Sequence, residues 1–291
     1  MVSLALPTGS LEKPTLELFA AADLPVHRHA SRAYRGGVDH PAVDRVVFYK
    51  PREIPGIVAN GTFDLGVTGA DWIEEAGAKV EVVHAFDYSK TTDSGWRVVL
   101  AVPEEHPARS AADLEDGVRV ATEYPGIARE YFRRLAVRAE VVRSYGTTEA
   151  KIPELADAVV EVVETGASLR QNKLRVLDTV RRYGVNLIAN PGAWADRSAR
   201  ASIEALASLL RASRAGSLHQ LLTIVVPADR WSRAEPLMPA RWWRLDGGSD
   251  PRMVVVQGVF EKRAVAMAFS ALTAAGAVEI VETPIRKLAL G

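Results

Sequence analysis

The feature that most restricts this chain is an alternation of short apolar runs with segments of helical spacing, repeated along most of its length. Val2–Leu6 reads as a strand that Pro7 stops. Leu11, Thr15, Leu18 and Ala22 then recur at helical spacing, with Ser10 or Lys13 at the entry and Pro14 in the first turn, where a missing N–H costs nothing. Val46–Tyr49 is a second strand, Glu53–Asn60 a short helix closed by Gly61, and Phe63–Val67 a third strand. Trp96–Val102 is apolar again and precedes a Pro- and charge-rich loop, Pro103–Asp113. Next come a strand at Val118–Thr122, a helix at Ile127–Leu135, and strands at Ala139–Arg143, Ala158–Val163 and Leu187–Ala189. Residues Ala195 to Ala215 read as one long helix ended by Gly216. Strands that alternate with helices bury both faces of a sheet, so the pattern predicts an α/β fold.

The last segment reads as self-contained. Leu218–Val226 and Met253–Phe260 are strands with a helical turn at Asp229–Glu235 between them. A helix at Ala264–Ala275, capped by Gly276, and a strand at Val278–Glu282 follow. That order fits a small ferredoxin-like α+β domain, with its boundary near Ala212–Ser217.

Composition narrows the function classes. The chain has 291 residues, 36 Lys plus Arg against 36 Asp plus Glu, no cysteine, and 48% hydrophobic residues. Such a chain has apolar surface enough for a core and length for two domains or three small ones. Without cysteine there is no disulfide, thiolate metal site or cysteine nucleophile. Zero net charge speaks against a nucleic-acid partner held by a basic field, and it favours self-association. The N-terminus lacks the basic start and apolar run of a signal peptide, and the longest apolar stretch, Ala264 to Val278, is too short for a membrane helix. The expectation is a cytoplasmic protein with no membrane and no nucleic-acid partner.

One local pattern occurs twice. Leu65-Gly66-Val67-Thr68-Gly69-Ala70-Asp71 and Val162-Val163-Glu164-Thr165-Gly166-Ala167-Ser168 each run an apolar strand into Thr-Gly-Ala and a short polar residue suited to a helix cap. Glycine permits the tight turn, and the amides that open the next helix can hold an anion. Ordinary strand-to-helix connections also take this form. The second copy adds the Thr165 and Ser168 hydroxyls, with Asp157 and Glu161 on the preceding strand. Hydroxyls and amides around a phosphate, with acids near a magnesium ion or ribose hydroxyls, make coherent chemistry.

Taken together, several blocks resemble the ATP phosphoribosyltransferases that begin histidine biosynthesis. They are Ala5-Leu6-Pro7-Thr8-Gly9-Ser10-Leu11, Lys50-Pro51-Arg52-Glu53-Ile54-Pro55, and the first Thr-Gly-Ala turn. Ala121-Thr122-Glu123-Tyr124-Pro125-Gly126-Ile127-Ala128-Arg129, Gly146-Thr147-Thr148-Glu149, Ala156-Asp157-Ala158 and Glu164-Thr165-Gly166-Ala167-Ser168-Leu169 continue the series. Val281-Glu282-Thr283-Pro284-Ile285-Arg286-Lys287 is similar to the end of the family's long form, which carries a regulatory domain.

The resemblance implies a two-lobed, periplasmic-binding-protein-like catalytic region, with residues 1–95 and 181–212 in lobe I and 96–180 in lobe II. Residues 213–291 would be an ACT-like regulatory or oligomerisation domain. It implies attack by N1 of ATP on C1′ of phosphoribosyl pyrophosphate with inversion, Mg2+ assisting departure of pyrophosphate. Thr165, Gly166, Ala167, Ser168 and Leu169 would hold the 5′-phosphate, and Glu149, Asp157 and Glu161 would lie near the ribose or the metal. Thr8, Gly9, Ser10, Lys50, Thr68, Gly69 and Asp71 would form the ATP side. A homo-oligomer, from dimer to hexamer, and inhibition by histidine are also implied.

The chain departs from the family on the polyphosphate side. The family usually carries Lys at the position of Thr8, often Arg at Ser10, Arg at Lys50 and a non-acidic residue at Glu123. Glu161 replaces Asp and Ser168 replaces Thr, which keeps charge and hydroxyl. Ala85–Thr91 replaces a Gly-rich apolar stretch. Thr8 and Glu123 remove positive potential, and charged contacts to phosphate outweigh neutral ones; Arg32, Arg35, Lys90 and Arg97 are candidates to compensate. Three readings stay open: an ATP phosphoribosyltransferase, a paralogue with a less charged acceptor, and a non-catalytic ligand-binding or regulatory protein on the same scaffold.

Other signals carry less. His27 and His29 share a strand face, but no third ligand follows at metal spacing. Arg241-Trp242-Trp243-Arg244 could stack on a base, or pack at a domain or subunit interface. Arg181-Arg182 and the arginines at 197, 200, 211 and 214 read as solvated helix faces.

Overall fold

The computed structural model describes residues 1–28, 30, 33–86, 88, 95–245 and 250–289. They form two compact units, Met1–Glu17 with Val26–Ala207, and Leu18–Pro25 with Ser208–Gly291.

In the first unit the chain runs through β1 (Val2–Pro7), α1 (Glu12–Ala21, whose last turn belongs to the second unit), β2 (Val26–Arg28), β3 (Arg35–Val38), β4 (Val43–Tyr49), α2 (Ile54–Ala59), β5 (Leu65–Gly69), α3 (Ala70–Ala76) and β6 (Glu81–Phe86). It continues with β7 (Trp96–Pro103), β8 (Val118–Thr122), α4 (Pro125–Leu135), β9 (Ala139–Arg143), β10 (Ala158–Val163), α5 (Ala167–Gln171) and β11 (Leu174–Tyr183). It returns through β12 (Val185–Ala189) and α6 (Pro191–Ala195) to α7 (Arg197–Ser217), whose residues from Ser208 on belong to the second unit.

These strands build two sheets. The first has seven strands in the order β2-β3-β4-β1-β5-β12-β6, the second five in the order β11-β7-β10-β8-β9. In the first, β1 lies parallel to β4 and β5, and every residue of β1, β5 and β12 is buried. Central strands covered on both faces need continuous apolar runs rather than alternation, which is what these segments supply. In the second, β8 lies parallel to β10 and β9, while β7 lies antiparallel to β10 and β11. The chain passes between the sheets twice, after β6 and at Gly184. The passages press together: a Cβ on Gly95, whose φ is +71°, would stand 2.2 Å from the Tyr183 carbonyl oxygen. The first unit is therefore α/β and two-lobed, the periplasmic-binding-protein-like arrangement.

The second unit carries β13 (His219–Pro227), α8 (Trp231–Ala234), β14 (Trp242–Arg244), β15 (Met253–Glu261), α9 (Val265–Ala275) and β16 (Glu279–Pro284). Its antiparallel sheet runs β14-β15-β13-β16, the ferredoxin-like order. Strict alternation on β13 and β15 sends Leu222, Ile224, Val226, Val254 and Val256 into a core with Val265 and Leu272 of α9 and Ala234 of α8.

Three local expectations change. Gly216 does not end the long helix, which continues to Ser217. Its role is space, since a Cβ there would lie 2.7 Å from the backbone carbonyl of Arg286. Arg181 and Arg182 sit on β11, not on a helix. Trp242 belongs to β14 and its ring packs 5.4 Å from that of Trp231, inside the second unit. No helix among the described residues is long and apolar enough to cross a membrane.

Candidate functional site

A cleft of about 420 Å3 opens in the first unit where strands of both sheets end. Its lobe I wall comes from the loop after β1 (Thr8, Gly9, Ser10, Leu11), the loop after β4 (Lys50, Pro51, Arg52) and the first turn of α3 (Asp71, Trp72). Its lobe II wall comes from Trp96, from Glu123 and Tyr124 after β8, and from Glu161, Val162 and Glu164 on and after β10. Carboxyl ends of strands are where open α/β sheets leave room for ligands.

Hydrogen bonds fix the lobe I loops. Thr8 donates its amide and its hydroxyl to the Tyr49 carbonyl, at 2.8 and 3.2 Å. The Lys50 amide donates to a Glu53 carboxylate oxygen at 3.1 Å. Thr68 is fully buried and donates its hydroxyl to the Pro51 carbonyl at 2.8 Å, so it supports the Lys50–Arg52 turn from beneath. Gly69 is the residue before α3 and, like Thr68, is buried.

Asp71 is the most heavily engaged group. It is 2% exposed, and its carboxylate accepts from the Tyr124 hydroxyl at 2.9 Å, the Trp96 indole N–H at 3.1 Å and the Trp72 amide at 2.9 Å. Burial pushes its pKa up to about 6 against the pull of those bonds. The Tyr124 hydroxyl is held well above the usual phenol range, first by burial and then by the Asp71 charge. The Trp72 and Tyr124 rings lie 4.4 Å apart at an interplanar angle of 32°, forming an aromatic wall.

On lobe II the expected residues separate into two groups. Ser168 donates its hydroxyl to Glu149 at 2.5 Å. Glu161 is pushed above the ordinary carboxylate range by burial, against hydrogen bonds from the Thr148 hydroxyl and the Val162 amide; the charges of Glu149 and Glu123 add to the rise. Thr165, Gly166, Ala167 and Ser168 form the turn into α5, with Gly166 at φ +73°, and Leu169 buries beneath them in the core of this sheet. Asp157 does not join them. It precedes β10 whereas the turn follows it, and its carboxylate is taken by Arg119, at 2.6 Å from Nη2 and 2.9 Å from the amide. That ion pair holds Asp157 below the ordinary carboxylate range. The trio Glu149, Asp157 and Glu161 is therefore not assembled, and no cluster of three or more metal-ligating side chains occurs among the described residues.

Among the described residues, the cleft lining carries two cations, Lys50 and Arg52, and four carboxylates, Asp71, Glu123, Glu161 and Glu164. Arg35 on β3 and Arg97 on β7 are not among its described lining residues. Arg32 and Lys90 lie outside the described residues, as do His29 and most of 87–91. Sequence reasoning singled out Gly9, Ser10, Lys50 and Asp71 but not Trp72, Trp96 or Tyr124. Tyr124 follows a strand and precedes Pro125-Gly126, a position that the strand-end rule alone marks.

Comparison with known proteins agrees along the whole chain. The sequence pattern of the HisG family, ATP phosphoribosyltransferase, matches residues 50–212. The ATP phosphoribosyltransferase of Koribacter versatilis is 37% identical over 99% of both chains. That of Chlorobaculum parvum is 38% identical over 99% of this chain and 97% of its own. In fold, the chain is similar to the ATP phosphoribosyl transferase (HisG:HisZ) complex from Thermotoga maritima, with a TM-score of 0.61 and 22% identity over 72% of this chain and 98% of that one.

Proposed function

The chain belongs to the ATP phosphoribosyltransferase family, and on that premise we propose that it joins the phosphoribosyl group of phosphoribosyl pyrophosphate to N1 of ATP, releasing pyrophosphate in the first step of histidine biosynthesis. The observation that carries this reading is a relationship spanning 99% of both chains, in a protein whose strand ends frame a polar, aromatic-walled cleft. In the reaction the N1–C1′ bond forms as the bond from C1′ to pyrophosphate breaks, and its electron pair leaves with pyrophosphate. No proton need move at the breaking bond, so positioning and electrostatics supply most of the rate.

The acceptor side is assigned to Thr8, Gly9, Ser10 and Lys50, with Arg52 beside them and the Trp72–Tyr124 wall offering apolar surface to a purine. Thr68, Gly69 and Asp71 act as supports. The phosphoribosyl side is assigned to Glu149, Glu161 and the Thr165–Leu169 turn. Carboxylates there stabilise the positive charge that develops on the ribose. Lys50 and Arg52 attract polyphosphate as charge-assisted donors.

Mg2+ fits this donor set. Glu123 and Glu149 both raise the Glu161 pKa, a crowding of like charges that a divalent cation relieves. Mg2+ is held by one or two carboxylates plus substrate phosphates, so Glu149 and Glu161 would suffice. When bound, it would neutralise the departing pyrophosphate.

One observation favours a second reading, transfer to a less charged acceptor: Glu123 lines the cleft, and carboxylates outnumber cations among its described lining residues. Pyrophosphate release from phosphoribosyl pyrophosphate, measured with ATP and then with uncharged adenine-containing acceptors, separates the two. Release with ATP is the expected result, and release only with the others would replace it.

The same reading includes a cytoplasmic location, a homo-oligomer and histidine as an inhibitor acting at the ferredoxin-like unit. A ligand of the native state must stabilise it. Millimolar histidine is expected to raise the melting temperature, and an unchanged value removes histidine control from the proposal.

A further inference from the structure

One face of α3 carries three carboxylates, Asp71, Glu74 and Glu75, at the i, i+3, i+4 spacing that aligns side chains on a helix. All three reach from the first sheet's side to residues of the second sheet's lobe, which includes β11 to its last residue, Tyr183. Asp71 accepts from Trp96, the first residue of β7, and from Tyr124. Glu74 accepts from the Arg181 guanidinium at 2.7 Å and from the hydroxyl of Tyr183, the last residue of β11, at 3.0 Å. Glu75 accepts the amides of Gly126 at 3.1 Å and Ile127 at 3.0 Å, with Arg143 at 3.7 Å. Trp96 and Tyr183 stand at the two passages between the sheets, and Gly126 and Ile127 open α4. One short helix thus grips both crossings and the helix that follows Glu123 and Tyr124.

The Glu75 contact is the most consequential of the three. Its side chain is 9% exposed. The first amides of a helix have no intrahelical acceptor, so a carboxylate there satisfies donors and meets the positive end of the helix dipole. Gly126 leaves room for the approach: a Cβ at that position would stand 3.0 Å from Glu75 Oε2, and the carboxylate would have to give by a few tenths of an ångström.

We infer that the acidic face of α3 is a clasp that holds the two lobes at a fixed spacing, and that Glu75 is a positioning residue for the cleft, acting through the N-terminus of α4 on Glu123 and Tyr124. The substrate arm of this inference rests on the phosphoribosyl-transfer reading. Without the clasp the lobes sample open arrangements in which the cleft walls do not meet one ligand together. Apparent affinity then falls in proportion to the binding-competent fraction, while turnover at saturation is spared.

The test compares Glu75→Ala and Glu75→Gln with the unaltered chain, in steady-state kinetics and in hydrogen exchange. For Glu75→Ala we expect KM for both substrates to rise about tenfold, the signature of a competent fraction near one tenth, with kcat within about threefold. Glu75→Gln, which keeps one carbonyl acceptor, should fall between. Exchange should quicken at Gly126 and Ile127 and also at the crossings around Trp96 and Tyr183, and substrates should restore protection. Where Glu75→Ala does not fold, Glu74→Gln is measured instead, with the same quickening expected at the crossings and beyond them at Gly126 and Ile127. Unchanged KM values in an active protein, or exchange that quickens only beside the altered side chain, would overturn the clasp. The exchange readout needs no turnover, so failure of the phosphoribosyl-transfer reading would show as an inactive unaltered chain while the clasp is still decided.

Discussion

Asp71 keeps a carboxylate where water barely reaches, and the consequence can be worked out with its sign. Its pKa is about 6 when folded against 3.8 for an ordinary carboxyl, so between those values the folded chain binds the proton that the unfolded chain has released. The contribution of Asp71 to stability therefore falls as pH rises from about 4 to about 6 and stays lower above it. A shift of that size corresponds to a cost on the order of 3 kcal/mol near neutral pH. Asn in its place keeps an acceptor for Tyr124 and Trp96, carries no charge and turns an N–H toward the Trp72 amide. The melting temperature of Asp71→Asn relative to the unaltered chain is expected to be higher at pH 8 than at pH 4.5. A difference independent of pH would mean that Asp71 carries no raised pKa. At this scale the sequence was uneven. The Thr-Gly-Ala turns marked Asp71 and Ser168 at the start of helices because turn chemistry is local. The pairing of Asp157 with Arg119 was not legible, because the two lie 38 residues apart and a pair of that separation leaves no mark in sequence spacing.

Elements divide in the same physical way. β8, β9 and β10 were legible to the residue because β-branched runs bounded by polar turns have one reading. β2, β3, β6 and β11 were not; β2, β6 and β11 lie at sheet edges, where a strand tolerates charge, and β3 is a four-residue strand beside one of them. β11, for example, carries Arg175, Arg181 and Arg182 within ten residues. The long helix was seen, but its end was misplaced at Gly216, where packing rather than helix termination selects glycine. Two effects compete there. Ala in a helix interior is favoured over Gly by about 1 kcal/mol, whereas forcing a methyl against fixed backbone costs roughly 1–3 kcal/mol. With the Arg286 carbonyl 2.7 Å from the added Cβ, the clash wins. Gly216→Ala is expected to lower stability by up to about 2 kcal/mol net in denaturant unfolding; a more stable variant would show that the Arg286 backbone gives way.

At the scale of the whole molecule, the alternation of strand and helix led to an α/β region and a ferredoxin-like unit, and both are present. The equal totals of acid and base, 36 each, spoke against a basic field yet said nothing about distribution. The cleft resolves it locally, with Lys50 and Arg52 facing four carboxylates. The charge pattern bears on the central claim, because ATP brings polyphosphate to a cleft whose described lining holds two cations, and the proposed Mg2+ would add positive charge there. The most direct measurement is therefore the product itself. The purified chain is incubated with phosphoribosyl pyrophosphate, ATP and Mg2+, pyrophosphate is quantified, and the nucleotide is weighed by mass spectrometry. The expected result is one phosphoribosylated ATP for each pyrophosphate released, with release that depends on ATP. Pyrophosphate without a nucleotide adduct, or no release under these conditions, would contradict the account.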